Sequence, residues 1–388
     1  MKKTSRCWSN LLPELLEIIE DEIVVCTDKL RFSCVCKIWQ SMAEIPNHNE
    51  IPWLVVPNYK SNTVSSSYGL LNLLNNKVYN IDLEEAKGKL FKGSSHGCLV
   101  VVDRISTTIN LINPITKAQV QLPPRHKFPD VIRYQPGEDE DLTYWDFRGQ
   151  KILTGSTSDA NYYRLHRVIL SSNPSSNNYI AASIYDRDSK LAFCGMGDTE
   201  WINIDDGTNY GDIIFHKDEL YGFSSGMSLS IFDVSSWIPK LKEVIPFPKG
   251  RYGYFWSYLV EHSGQILLIL RRLKRDETQQ RQITRYFNVY KLHRSDKSWS
   301  ELSEIGGGLV FVGLNSSFSV SSVNLPSGWR GNKIYFTDNL FDFLEEDVRG
   351  GYDFGIYDMV EKDIYRFEDY TSNQSIWPPP VWIMLNSS

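Results

Sequence analysis

The residues that could do chemistry are dispersed. Seven histidines, His48, His96, His126, His166, His216, His262 and His293, stand apart along the chain, and none opens a His-Glu-x-x-His zinc motif. Carboxylate pairs such as Asp205-Asp206 and Glu345-Glu346 are sequence neighbours, which a strand sends to opposite faces. An acid/base pair has to converge on one bond instead. Ser94-Ser95-His96-Gly97 sets a nucleophile type beside a base type, the ingredients of acyl transfer. Its place before the apolar run Gly97 to Val102 makes it read as turn chemistry. Gly195-Met196-Gly197 and Gly306-Gly307-Gly308 lack the Lys-Ser/Thr that a phosphate loop needs. The six cysteines form no Cys-x-x-Cys pair and no Cys/His cluster at zinc spacing. The expectation is therefore no catalytic residue, no metal and no cofactor.

Charge and hydropathy narrow the class further. The 388 residues carry a net charge of −6, which speaks against a general binder of nucleic acid or of acidic membranes. Lys2, Lys3 and Arg6 are not followed by the apolar core of a signal peptide, and no apolar run reaches the roughly 20 residues that span a bilayer. With few cysteines, read as reduced thiols, the expected location is cytoplasmic and/or nuclear.

The elements that organise the chain begin at its N-terminus. Pro13 suits the first turn of a helix, and Leu12, Leu15, Leu16, Ile19 and Ile23 recur at three- and four-residue steps behind it. Thr27 is placed to cap a second helix with Asp28 in its first turn. There Phe32, Val35, Cys36 and Trp39 form one apolar row, and Leu30, Cys34 and Ile38 a second. A helix apolar on two faces has to be buried on two sides. A unit of roughly 40 residues cannot supply both. The pattern predicts a helical hook, residues 8–43, that completes its core on another protein.

This stretch resembles an F-box. The resemblance rests on Leu12-Pro13, the leucine-rich first helix, Asp28-x-x-Arg31-Phe32, Val35-Cys36-Lys37 and Trp39. The Arg that usually follows the Trp is Gln40 here. The resemblance implies docking on a Skp-type adaptor, and through it on a cullin. Leu12, Pro13, Leu16, Ile19, Ile23, Leu30, Val35, Cys36 and Trp39 would form the adaptor contact.

Residues 44–66 are punctuated by Pro46, Pro52 and Pro57 yet contain Trp53-Leu54-Val55-Val56, which reads as a short packed joint. From about residue 67 to 370 the pattern becomes strand-like. Phrases such as INLINPITKAQVQL, FNVYKLHRSDKSWSEL and FGIYDMVEKDIYRF repeat strand, tight turn, strand. Units of roughly 40–50 residues with about four strands each are the mark of propeller blades. The expected fold is a small all-α motif followed by an all-β propeller of about six blades, with residues 371–388 as a tail. This part resembles the KIB-type β-propeller of plant F-box proteins, through Gly93-Ser94-Ser95-His96-Gly97, Leu111 to Thr116, Gln121 to Pro124, Leu170 to Ser175, Lys190 to Cys194, Asp212 to Lys217, Phe311 to Asn315 and Asn332 to Asp338.

Two stretches do not fit a blade. Residues 125–164 are long for a connection and carry Tyr144 and Trp145, the candidate contacts for a target protein. Residues 271–285, RRLKRDETQQRQITR, read as a basic hairpin tip, either a nuclear address or a contact for an acidic partner. The functional expectation is a non-catalytic substrate receptor of a Skp-cullin-F-box ubiquitin ligase, binding an unidentified protein. The alternatives are an adaptor-bound scaffold that sequesters a partner without degrading it, or a propeller enzyme or lectin-like binder.

Overall fold

Most of the blades' middle strands are apolar on both faces, because each blade is covered by a neighbour on either side. Cys98–Val102 is buried at every position, whereas the outermost strand Gln119–Leu122 of the same sheet is mostly wet. A computed structural model shows the arrangement. It describes residues 8, 11–23, 32–33, 35–42, 51–57, 67–134 (save 75, 104 and 105), 142–145, 151–154, 165–276 (save 177, 187, 205, 206, 237, 251 and 254), 281–338 (save 326 and 327), 341–344, 347–350, 353–367 and 380–385.

Six sheets form six blades. Blade 2 is Leu90–Ser95, Cys98–Val102, Ile109–Ile112 and Gln119–Leu122. Blade 3 is Leu165–Leu170, Ile180–Tyr185, Lys190–Gly195 and Ile202–Asn203. Blade 4 is Tyr210–His216, Glu219–Ser224, Ser228–Asp233 and Lys240–Pro246. Blade 5 is Phe255–His262, Gln265–Asp276, Arg281–His293 and Ser298–Leu302. Blade 6 has five strands, with Leu309–Val312 lying parallel to Lys333–Phe336 and Phe318–Val320 added inside it. Blade 1 is made from both ends of the chain. Trp53–Pro57 pairs with Ser67–Asn72 on one side and with Val381–Ile383 on the other.

Between every two neighbouring blades lies one apolar cluster. Val55 and Leu70 meet Leu99 and Val101. Val100 and Leu111 meet Val168 and Ala181. The series continues through blades 4 and 5 to the cluster of Val310 and Ile334 with Ile269 and Val289. In the sixth, Phe311 and Tyr335 of blade 6 pack on Leu54 and Trp382 of blade 1. The ring is therefore closed. Successive residues of one strand serve opposite neighbours, as Val100 and Val101 do, which is the two-residue period at work.

The structure redraws two boundaries expected from the sequence. Trp53–Pro57, read as a joint between prolines, is a full strand of blade 1. Val381–Ile383, read as part of a tail, is that blade's innermost strand, and Trp382 is fully buried. Three residues are too few to show a period. The strands of the basic hairpin also run further than expected, to Asp276 and from Arg281, so that Arg271 and Arg272 lie inside the propeller.

At the N-terminus, helix α1 spans Pro13–Glu22 and helix α2 spans Lys37–Met42. The second helix is shorter than the apolar rows imply, since Val35 and Cys36 are not helical. Phe32 and Ser33 are helical, the helix is interrupted at Val35 and Cys36, both weak helix formers, and it resumes at Lys37. Leu30, Thr27 and Asp28 lie outside the described residues.

Candidate functional site

The hook divides into an inner and an outer surface. Leu16 and Phe32 are buried, and Trp39 leans on Phe32 with ring centroids 4.5 Å apart. The Trp39 indole N–H donates to the carbonyl of Trp8, 3.2 Å away. These contacts tie the two helical segments together. The outer surface is apolar and faces water. Leu12 is 64% exposed, Ile18 60%, Val35 50% and Ile38 49%, with Leu15 beside them. Of the residues that the F-box resemblance assigns to the adaptor contact, Leu12, Pro13 and Val35 are exposed, Ile19, Ile23, Cys36 and Trp39 are half-buried, and Leu16 is buried.

The serine phrases of the propeller are built into its frame. Gly93-Ser94-Ser95-His96-Gly97 and Gly222-Phe223-Ser224-Ser225-Gly226 both spell Gly-x-Ser-x-Gly, although the sequence reading expects no such elbow. Neither sits on the strand–turn–helix that presents a nucleophile. His96 and Gly97 both have positive φ, 47° and 76°, and close a tight hairpin. The Ser94 hydroxyl donates to the Trp382 carbonyl, and the Ser95 hydroxyl accepts the Leu170 N–H at 3.0 Å. His96 Nε2 lies 3.1 Å from the Leu170 carbonyl, and burial pulls its pKa below the usual value. Ser224 is buried against Ser228, with hydroxyls 2.9 Å apart. Each of these groups secures a turn or a blade contact. Among the described residues no three His, Cys, Asp or Glu side chains gather as a metal site.

Buried ion pairs lock the inner strands. Arg167 of blade 3 meets Asp212 of blade 4 at 2.9 Å and reaches the carbonyls of Gly313 and Asn315 in blade 6. Burial raises the Asp212 carboxyl to about 6 against the pull of Arg167 and two backbone N–H groups. A second pair fastens blade 5 to blade 6. Asp353 Oδ2 accepts from Arg271 Nη2 at 2.8 Å and from the Thr284 N–H and hydroxyl at 2.6 Å each. Arg366 donates to its other oxygen. Burial would raise the Asp353 carboxyl, but the Arg271 and Arg366 guanidinium groups hold it below the usual range. Sequence reasoning missed this site. Its signal was there, because Arg271 continues the alternation Leu267, Ile269 on a core-facing strand face.

The excursion at 125–164 contains a three-stranded sheet, Val131–Tyr134, Leu142–Trp145 and Lys151–Thr154. Tyr144 and Trp145 lie on its middle strand, opposite Ile152 and Lys151, and their side chains fall outside the described residues. A hairpin of Phe341–Leu344 and Asp347–Gly350 leaves blade 6.

The family model described as the KIB1-4 β-propeller matches residues 70–358. The chain belongs to that family. Its relatives extend the match to the N-terminal region. "F-box protein SKIP23" of Arabidopsis thaliana is 21% identical over 407 residues, covering 97% of this chain and 95% of its own length. "F-box protein At2g26160", also of Arabidopsis thaliana, is 24% identical over 346 residues, covering 86% of this chain and 96% of its own. The likeness to plant F-box proteins with a KIB-type propeller, carried in the sequence by short phrases, thus runs along most of this KIB1-4 family member.

Proposed function

We propose that the chain is the substrate-recognition subunit of a Skp-cullin-F-box ubiquitin ligase. The hook docks on a Skp-type adaptor, and the propeller holds a target protein near the ubiquitin-loaded enzyme. The receptor does no chemistry of its own. It raises the effective concentration of target lysines at the site of transfer. The observation that carries this reading is the wet apolar surface of Leu12, Leu15, Ile18, Val35 and Ile38, five large side chains on a hook of two short helices. Covering such side chains stabilises a complex by roughly 1.5–3 kcal/mol for each one fully buried. The F-box names of the relatives support the same docking mode.

Coexpression with a plant Skp-type adaptor tests it. The full chain is expected to co-purify with the adaptor, and a chain lacking residues 1–43 is not. A full chain that elutes alone, with its propeller folded, would refute the assignment. Sequestration without degradation is told apart by target abundance. It should be unchanged by removing residues 1–43 if the chain only sequesters.

A further inference from the structure

Blade 5 carries a cationic projection on a chain whose net charge is −6. In blade 5, pairing with the inner strand ends at Phe255 with Arg272, and pairing with the outer strand ends at Val289 with Leu302. Beyond these, Leu273 to Asp276 pair with Thr284 to Arg281 as a free-standing ribbon. Four residue pairs at 3.3 Å each extend it by ~13 Å. Lys274, Arg275 and, at its foot, Arg285 are exposed, and none pairs with a carboxylate among the described residues. The ribbon is not a loose loop. Asp353 clamps its base through Arg271 and Thr284. A groove of about 760 Å³ opens at Arg285 and runs down the flank between blades 5 and 6 along Tyr286, Phe287, Glu301 and Tyr357, ending at Lys362 on the hook-side turn of blade 6.

Strand direction places this ribbon. A propeller's innermost strands all run from one face to the other, and each blade then meanders outward. Strand Trp53–Pro57, which the chain enters from the hook, starts at the face where the inner strands end. The ribbon's outermost pair, Asp276 and Arg281, the strands Val131–Tyr134, Leu142–Trp145 and Lys151–Thr154, and the hairpin strands Phe341–Leu344 and Asp347–Gly350 all lie at the opposite face.

We infer that this opposite face is the target-binding surface and that the ribbon and its groove take an extended acidic segment of the target protein. This deepens the receptor reading and rests on it. Lys274, Arg275 and Arg285 supply complementary charge, and the aromatic groove supplies contact area. A long polyanion such as nucleic acid fits less well, because the chain as a whole carries a net charge of −6 and the cationic stretch is only a few residues long.

The test uses the full chain and a fluorescein-labelled peptide with Glu at alternate positions and Leu between, read by anisotropy. The charge reversals K274E/R275E should weaken binding about tenfold or more, and K217E/K240E, matched in charge but on the other face, less than about twofold. Added salt should weaken the wild-type complex. No binding by wild type, equal losses in the two variants, or a DNA duplex bound as tightly as the peptide would overturn the inference. Adaptor capture is measured on the same variants and is expected to be unchanged. Capture failing in wild type while the peptide still binds would sink the receptor reading alone.

Discussion

The substitution Ile38→Asp separates a docking surface from a folding core. Ile38 lies on helix α2 and is 49% exposed, so about half of its side chain is still open to a partner. Fully burying an isoleucine is worth roughly 2–3 kcal/mol, and half of that is ~1–1.5 kcal/mol lost on truncation. The new carboxylate must also leave water, at roughly 2 kcal/mol or more if nothing pairs with it. The sum, ~3–4 kcal/mol, corresponds to adaptor affinity weaker by about two to three orders of magnitude. Trp39→Ala is a poorer probe. Its ring packs on Phe32 and its N–H ties Trp8, so lost binding would report a loosened hook as readily as a lost contact.

The assay is titration of purified adaptor against the full chain, with far-UV circular dichroism and the melting temperature as folding controls. Val360→Asp serves as the comparison, because Val360 is 61% exposed on blade 6 of the propeller. It should leave adaptor affinity unchanged. An Ile38→Asp chain that binds within about threefold of wild type would refute the reasoning, since no interface covering that side chain tolerates an unpaired carboxylate so cheaply.

Two further outcomes test the frame of the propeller. Asp353→Ala removes the acceptor of Arg271, which is 1% exposed, and leaves a buried guanidinium without its carboxylate. The expected cost is about 3–5 kcal/mol in chemical denaturation, partly restored by Arg271→Met, whereas simple addition of the two effects would show that the clamp is not coupled. Lys92 gives a pH signature. Burial, and then the charge of Arg125, lowers its amine to about 7 from 10.5. Between those values the unfolded chain holds a proton that the folded chain lacks, so stability should climb with pH by up to about 1.4 kcal/mol per unit and be lost again as pH falls through 7. Lys92→Met should flatten that slope in melting curves taken between pH 7 and 9; an unchanged slope would show that Lys92 does not titrate there.

Much of the ring was legible because its signal is local. Cys98 to Val102 is a run of apolar residues that only a doubly covered strand tolerates, and Asn113-Pro114-Ile115-Thr116 is a turn whose Asn113 carboxamide accepts from the N–H of Ile115 and Thr116. What stayed hidden is what depends on distant partners. Nothing in Leu309 to Val312 announces a parallel neighbour in Lys333 to Phe336, and nothing in Val381 to Ile383 announces pairing with Trp53 to Val55. The candidate site divides the same way. The outward residues of the hook follow from helical spacing, whereas the Arg271–Asp353 pair joins positions 82 residues apart. A charge run in sequence says nothing about which of its members is buried. Arg271 and Lys274, three residues apart, end up in opposite environments.

The closure of blade 1 bears directly on delivery. The described part of the hook ends at Met42, and the propeller begins at the buried Ile51. Nine peptide steps reach at most ~30 Å even when fully extended. The first strand after them is held by Val381–Ile383 on one side and Ser67–Asn72 on the other. The hook is thus joined to an interior strand of the blade rather than to its rim. A bound target and the adaptor would then be related through one closed ring and a short connection. Short connections keep the effective concentration of a tethered group high only if they span the gap, and it falls steeply if they cannot. On the receptor reading, the face opposite the point of entry is the one expected to hold the target. The three elaborations of the propeller that lie there are therefore where sequence differences between relatives should change the target without disturbing the hook.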